Sequence, residues 1–198
     1  MNGLPPARVW GDKGKMADAS LAETLRRLEP GAASVDVLRF YDALPTVGIE
    51  QLIGRWQGGE IATGHAFDGL LGPAGWYGKE FRSADDVDPL LFRRKDGRLF
   101  AGNPALMPLT LLERMPRLAK HPLSAAIFRA VAPLLATRRP RARLRMTEYR
   151  GKVSAAMIYD DLPILDVFRK VDDDTVIGAM DIRGHRKPFF FTLRRDRP

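Results

Sequence analysis

The sequence predicts a mainly β fold: a closed antiparallel barrel of about ten strands, with helices at its N-terminus and a helical insertion between two sets of strands. Three observations point there. Short runs alternating apolar and polar residues, each bounded by Gly, Pro or Asp, recur over 52–102 and again over 142–194. The connections in the second set are only a few residues long, Arg150-Gly151, Leu162-Pro163, Asp172-Asp173-Asp174 and Gly184, the spacing of an up-and-down meander. Between the two sets, over 104–137, apolar residues recur at steps of three and four, which is the period of a helix.

Taken in order, 17–28 (ADASLAETLRRL) reads as a helix. Ser20 and Glu23 have capping-box spacing, Leu21, Leu25 and Leu28 share a face, and Pro30-Gly31 ends it. A second helix is expected over 34–44, capped by Ser34, with Val37, Leu38 and Tyr41 on one side and Pro45 as its stop. Both are expected to plug one end of the barrel. Residues 52–56 alternate like a strand, and Gly58-Gly59 reads as a turn requiring positive φ. That makes 61–66 a returning strand and places His65 near Trp56. Residues 68–76, with Gly69, Gly72, Pro73 and Gly75, form a loop. Strands follow at 77–81, 89–93 and 98–102, the last two joined by the hairpin signal Lys95-Asp96-Gly97.

In the insertion the periodic residues are Leu109, Leu112, Leu123, Ile127, Val131, Leu134 and Leu135. The 123–137 run holds one charge, Arg129, yet is shorter than the roughly 20 residues a membrane-spanning helix needs and is interrupted by Pro133. A lid over the barrel mouth and a helix on the outer wall both fit it. Strands return at 142–149, 152–160, 165–171, 175–181 and 187–194. Residues 1–16 are expected to be a disordered extension or tag, and 17–198 a single domain made of a 17–103 half, the 104–140 insertion and the 141–198 strands.

The chain has 198 residues and no cysteine, which removes thiolate nucleophiles, disulfides, zinc–thiolate sites and iron–sulfur clusters. The N-terminus lacks an apolar signal core, so a cytoplasmic setting is the simplest expectation. The net charge of +8 comes from 117–150, where nine Lys or Arg residues stand against one acid, Glu148. This reads as a solvated basic surface or a patch for an anionic membrane surface. Nucleic acid is disfavoured, because no aromatic residue lies between Arg138 and Arg145 to stack on bases. Composition leaves oligomerisation open.

Gly54-Arg55-Trp56-Gln57-Gly58 matches the motif that names the GXWXG family of bacterial proteins. Tyr149-Arg150-Gly151, the run 153–160 (VSAAMIYD), Phe168-Arg169-Lys170-Val171-Asp172-Asp173-Asp174 and Pro188-Phe189-Phe190-Phe191 resemble the domain of unknown function that usually follows it. The likeness spans roughly 34–195. A Gly-x-Trp near the first strand also resembles the calycins, the lipocalin and fatty-acid-binding barrels. That resemblance implies that Trp56 closes one end of the barrel and that a basic residue of the last strand, Arg194 or Arg195, lies over it, a cation–π contact on the order of 1 kcal/mol.

Alternation groups Asp166 with Ile164 and Phe168, Glu148 with Leu144 and Met146, Tyr159 with Val153 and Met157, and Asp181 with Ile177 and Ala179. If these faces line the interior, Asp166, Asp181 and Tyr159 are proton-handling candidates, and a desolvated carboxyl there has a raised pKa. His65 is the fourth candidate, with Asp68 to fix its tautomer. Trp76, Tyr77, Phe100, Met146, Met157, Phe168 and Phe189 form the expected apolar ligand wall. His121 and His185 are expected at the surface. No dinucleotide fingerprint, phosphate loop or metalloprotease helix motif occurs, so neither metal nor cofactor is expected; a single-His haem site at His65 or His185 is the weaker alternative.

The expected function is a cofactor-independent lyase or isomerase that opens a hydrophobic, terpenoid-like epoxide by acid–base catalysis. Known cofactor-free terpene-epoxide ring-opening proteins are of similar size, an analogy. The alternative is a carrier or sensor of a fatty acid or other hydrophobic small molecule, with Arg145 or Arg169 on the carboxylate.

Overall fold

A computed structural model describes residues 11–107 and 120–197, with side chains from Asp18 onward. Three helices lead in: α1 (Gly11–Leu28), α2 (Ser34–Ala43) and the single turn α3 (Ile49–Leu52). Strands β1 (Gly54–Ile61), β2 (Trp76–Phe81), β3 (Val87–Arg93) and β4 (Leu99–Ala101) follow. Helix α4 (Pro122–Val131) then precedes β5 (Ala142–Tyr149), β6 (Lys152–Tyr159), β7 (Ile164–Asp172), β8 (Thr175–Ile182) and β9 (Phe189–Arg195).

All pairings among these nine strands are antiparallel, in the order β2-β1-β9-β8-β7-β6-β5-β3-β4, and β2 also pairs with β3. Eight strands therefore pair in a ring, and β4 hangs on β3 outside it. The link between β3 and β5 is the slimmest, with Val87 opposite Ala142 as its register pair.

The ring has an apolar face on each side. In Phe189-Phe190-Phe191 the two outer residues join the inner cluster with Trp56, Phe81, Met157 and Phe168, and Phe190 joins a second cluster on the outside. There Ile61, Val171, Ile177 and Ala179 are covered by Leu25 of α1 and by Val37, Phe40 and Tyr41 of α2. Burying each large apolar side chain contributes about 1.5–3 kcal/mol, so the sheet needs both covers. The N-terminal helices therefore pack on the outer wall of β7, β8 and β9 and do not plug an end. The Tyr41 hydroxyl ties them down by donating to the Val167 carbonyl at 3.0 Å.

Other local expectations change as well. α1 begins at Gly11, within the stretch expected to be disordered; residues 1–10 lie outside the described residues. Ser20 falls inside α1 and caps nothing, and α2 is capped by Ala33, with Ser34 its first helical residue. Gly58-Gly59 makes no turn, because β1 runs through both. Their lack of a side chain serves close approach: a Cβ on Gly58 would stand 2.1 Å from the Trp76 indole, and one on Gly59 would stand 2.8 Å from the Thr192 hydroxyl oxygen. The expected return strand is instead a stretch of turns holding His65. Among the described residues nine strands form where about ten were expected, because 52–66 supplies one and not two.

In the insertion, Leu109 and Leu112 lie outside the described residues. Helix α4 carries Leu123, Ile127 and Val131, and Leu134 and Leu135 fall in the following 3-10 turn Ala132–Leu135. Phe128 packs on Phe92 of β3, ring centroids 5.7 Å apart. No helix among the described residues is long and apolar enough to cross a membrane.

Candidate functional site

The GXWXG motif builds one end of the ring. Gly54 has φ of +125°, a value that glycine tolerates best. The Trp56 indole is buried and donates to the Leu52 carbonyl at 2.7 Å, which ties β1 to α3. Arg195 of β9 lies on the indole, its guanidinium carbon 4.3 Å from the ring centroid, and donates to the carbonyls of Ile53 (2.9 Å) and Gln51 (2.6 Å). Of the two arginines that the calycin resemblance offers, Arg195 takes the place over Trp56; Arg194 points the other way and pairs with Glu29 at 2.6 Å.

Beyond this end the inner face opens into a cavity of about 430 Å³, within the roughly 300–1,000 Å³ span of small-molecule pockets. Its wall is largely aromatic and aliphatic: Trp76, Leu90, Phe92, Phe128, Phe189 and Phe191. Its mouth lies under α4, where Ile127 and Val131 both line the cavity and reach solvent.

Three polar side chains meet in this wall: Lys79, Tyr159 and Asp166. The Lys79 side chain is 3 % exposed and that of Asp166 0 %. Lys79 Nζ stands 2.9 Å from Asp166 Oδ2, a buried ion pair. Nζ donates to the Pro89 carbonyl at 3.0 Å and to the Tyr159 hydroxyl at 3.3 Å, and lies 4.9 Å from the Phe191 ring centroid. Burial pushes the Asp166 carboxyl pKa up from its ordinary value, and the Lys79 charge pulls it back in part. Burial likewise raises the Tyr159 hydroxyl well above its usual range, helped by the Asp166 charge. The site is thus a desolvated cation, a carboxyl of raised basicity and a phenol that is protonated at rest.

Lys79 escapes strict alternation. With Trp76 facing in, period two turns Lys79 out. A register shift in the pairing of β2 with β3 between Trp76 and Gly78 places one extra residue on β2 and reverses the parity. Gly78 sits at φ +153°, and a Cβ there would stand 1.9 Å from the Trp56 carbonyl oxygen. Tyr77 is turned outward instead, its hydroxyl donating to Asp196 at 2.7 Å and its ring under Arg93. The isolated glycine in WYGKEF is the sequence signal that could have revealed the bulge.

Of the other sequence-predicted residues, Asp166, Tyr159, Trp76 and Phe189 line the cavity. Phe168 and Met157 are buried one layer behind, Phe168 edge-on to Phe191 and Met157 paired across strands with Asp166. Asp181 keeps the company of Ile177 and Ala179, but that face of β8 is the outer one, so Asp181 lies away from the cavity. Met146 is 47 % exposed, and Phe100, on β4 outside the ring, packs against the back of Phe92. Arg145 pairs with Asp85 at 2.7 Å in solvent. Arg169 is buried on the outer face under Tyr41, guanidinium carbon 5.0 Å from that ring.

His65 sits in the turns between β1 and β2, its ring against Phe67, Phe189 and His185 at 5.3, 5.7 and 5.5 Å. Its Nδ1 accepts from the Phe67 N–H, which leaves the neutral ring's proton on Nε2. Asp68 does not fix that tautomer. Its carboxylate accepts the backbone N–H groups of Thr63, Gly64 and His65 at 2.7–2.8 Å and so holds the turn. His185 is half-buried in this ring stack and not at the open surface. Among the described residues no group of three or more His, Asp or Glu stands together as a metal site would require.

The model of the GXWXG protein family matches residues 39–97, from α2 to the β3–β4 turn, and that of a domain of unknown function (DUF4334) matches 140–195, strands β5 to β9. A crystal structure of a protein from Thermomonospora curvata is 34% identical, covers 92% of this chain and 99% of that one, and superposes with a TM-score of 0.67. No curated protein matches. With its Gly54-to-Gly58 motif and its second set of strands both matched, the chain belongs to the GXWXG family and carries the companion domain of unknown function.

Proposed function

We propose that the ring of eight strands is a closed, calycin-like barrel and that the protein is a cofactor-independent lyase or isomerase opening a hydrophobic, terpenoid-like epoxide inside it. The observation that carries this reading is the Lys79–Asp166 pair beside Tyr159 in a largely apolar cavity. The Tyr159 oxygen accepts from Lys79, so its own proton is available to an epoxide oxygen. As the C–O bond breaks, its electron pair stays on oxygen, which takes that proton. The cation left on carbon faces the rings of Trp76, Phe189 and Phe191. Asp166 removes a proton from the neighbouring carbon, and that C–H pair becomes the new double bond. Lys79 then returns a proton to the Tyr159 phenolate and recovers one from Asp166. The product is an allylic alcohol isomeric with the epoxide, and no proton is exchanged with water. A wall with few polar groups suits this, because water would trap the cation as a diol.

The mouth supports an apolar route of entry. Leu123, Ile127, Val131 and Leu134 are exposed at or beside it, with Lys120 on its rim and Arg138 and Arg139 nearby in sequence. An anionic membrane surface would receive the apolar residues and pair with the cations, and it is a natural store of such substrates. Lys120 also keeps a carrier of fatty acids as the rival reading, since its ammonium would pair with a carboxylate at the rim.

The test is incubation with a panel of terpenoid epoxides followed by product analysis. Wild type should convert at least one to an allylic alcohol, and Asp166→Asn and Tyr159→Phe should each slow it by about 10²–10⁴-fold. If no epoxide is consumed while fatty acids bind and Lys120→Ala abolishes that binding, the carrier reading replaces this one.

A further inference from the structure

We infer that Lys79 forms an imine with hydrophobic aldehydes or ketones that enter the cavity. Imine formation needs a primary amine, a base to take its surplus proton, an acid to serve the carbonyl oxygen, and little competing water. The contacts around Nζ supply each: Asp166 Oδ2 at 2.9 Å, the Tyr159 hydroxyl at 3.3 Å, and the rings of Phe191, Tyr159 and Trp76 at 4.9, 5.6 and 5.8 Å. The Pro89 carbonyl, 3.0 Å away on β3, fixes the amine at the cavity wall. Lysines such as Lys95 and Lys120 stand exposed in water and lack this company.

The protons balance. The Lys79 ammonium gives one to Asp166, and the free amine attacks the carbonyl carbon, forming the C–N bond as the carbonyl π pair moves to oxygen. That oxygen takes the Tyr159 proton and the nitrogen returns one to Tyr159, leaving a neutral carbinolamine. The carbinolamine hydroxyl then takes the proton held by Asp166 and leaves as water, while the nitrogen lone pair closes the C=N bond. The protonated imine keeps the positive charge that Asp166 neutralises, so the ion pair survives the reaction.

This inference uses the same cavity and the same proton-handling side chains as the epoxide reading, but its bond-forming step is a different one. The experiment is incubation of the full chain with a sub-stoichiometric straight-chain aldehyde, decanal, and cyanoborohydride, followed by intact mass and peptide mapping. Reductive trapping should add one decyl group at Lys79 ahead of Lys95 and Lys120, and an apolar dye filling the cavity should suppress it. Lys79→Arg should abolish the site, and Asp166→Asn should slow labelling by about tenfold or more, as loss of a proton acceptor does. The wild-type map decides the matter even if a variant fails to fold: decyl groups spread over surface lysines with Lys79 unmodified would overturn the inference. Failure to open any epoxide would leave a labelled Lys79 in place, and failure to label would leave epoxide opening standing.

Discussion

Lys79 and Asp166 meet 2.9 Å apart from strands β2 and β7, which are not neighbours in the sheet, so the pair spans the interior of the ring. Removing one partner leaves the other as an uncompensated buried charge. Lys79→Met is expected to destabilise the protein by about 3–5 kcal/mol, whereas the double variant Lys79→Met/Asp166→Val is expected to recover most of that loss or exceed wild type. Urea unfolding of the two singles and the double measures it. A double variant no more stable than the singles would show that the pair is not desolvated in solution.

Gly58 lies where a Cβ would meet the Trp76 indole at 2.1 Å, an approach the motif glycine alone permits. Gly58→Ala should therefore push Trp76 into the cavity, at a cost of about 1–3 kcal/mol from overpacking. It should also weaken binding of apolar dyes. A variant with unchanged stability and binding would mean that Trp76 does not pack as described.

How far the sequence could be read is clearest at β2. The strands β5 to β9 were legible because alternation and short turns mark each one, and Ala142–Tyr149 matches its expected bounds. Arg195 over Trp56 was legible through the calycin resemblance. Asp166 and Tyr159 were legible because β6 and the 164–170 part of β7 pair without a register shift. Lys79 was hidden because the shift between Trp76 and Gly78 reverses parity inside a six-residue strand. Asp181 was misplaced for a different reason: alternation says which residues share a face, and both faces of β8 are apolar, so which one is inner depends on the helices packed outside.

The pH dependence of turnover and of stability should separate. Asp166 accepts a proton only when ionised, and burial raises its pKa above 3.8, so turnover should fall as pH drops through that raised value. Asp42 behaves in the opposite sense. Its hydrogen bonds from the Arg150 guanidinium hold its pKa below 3.8, so the stability it contributes is present above 3.8 and is lost only as pH falls through the lowered value. Acidification should accordingly abolish activity before it unfolds the chain. Rate and circular dichroism profiles on the same samples check the order.

The exposed apolar residues at the mouth should bind anionic bilayers. Vesicles containing phosphatidylglycerol should sediment the protein, phosphatidylcholine vesicles should do so weakly, and Leu123→Glu/Ile127→Glu should release it without loss of folding. If that variant instead changes the oligomeric state and wild type ignores the vesicles, a second copy of the chain covers this surface.

The most direct test is turnover of terpenoid epoxides in deuterated water with product analysis by mass spectrometry. The proposed step breaks one C–H bond and forms none, so it predicts an isomeric allylic alcohol in wild type without carbon-bound deuterium, and loss of product in Asp166→Asn. Formation of a diol, or undiminished product from Asp166→Asn, would contradict it.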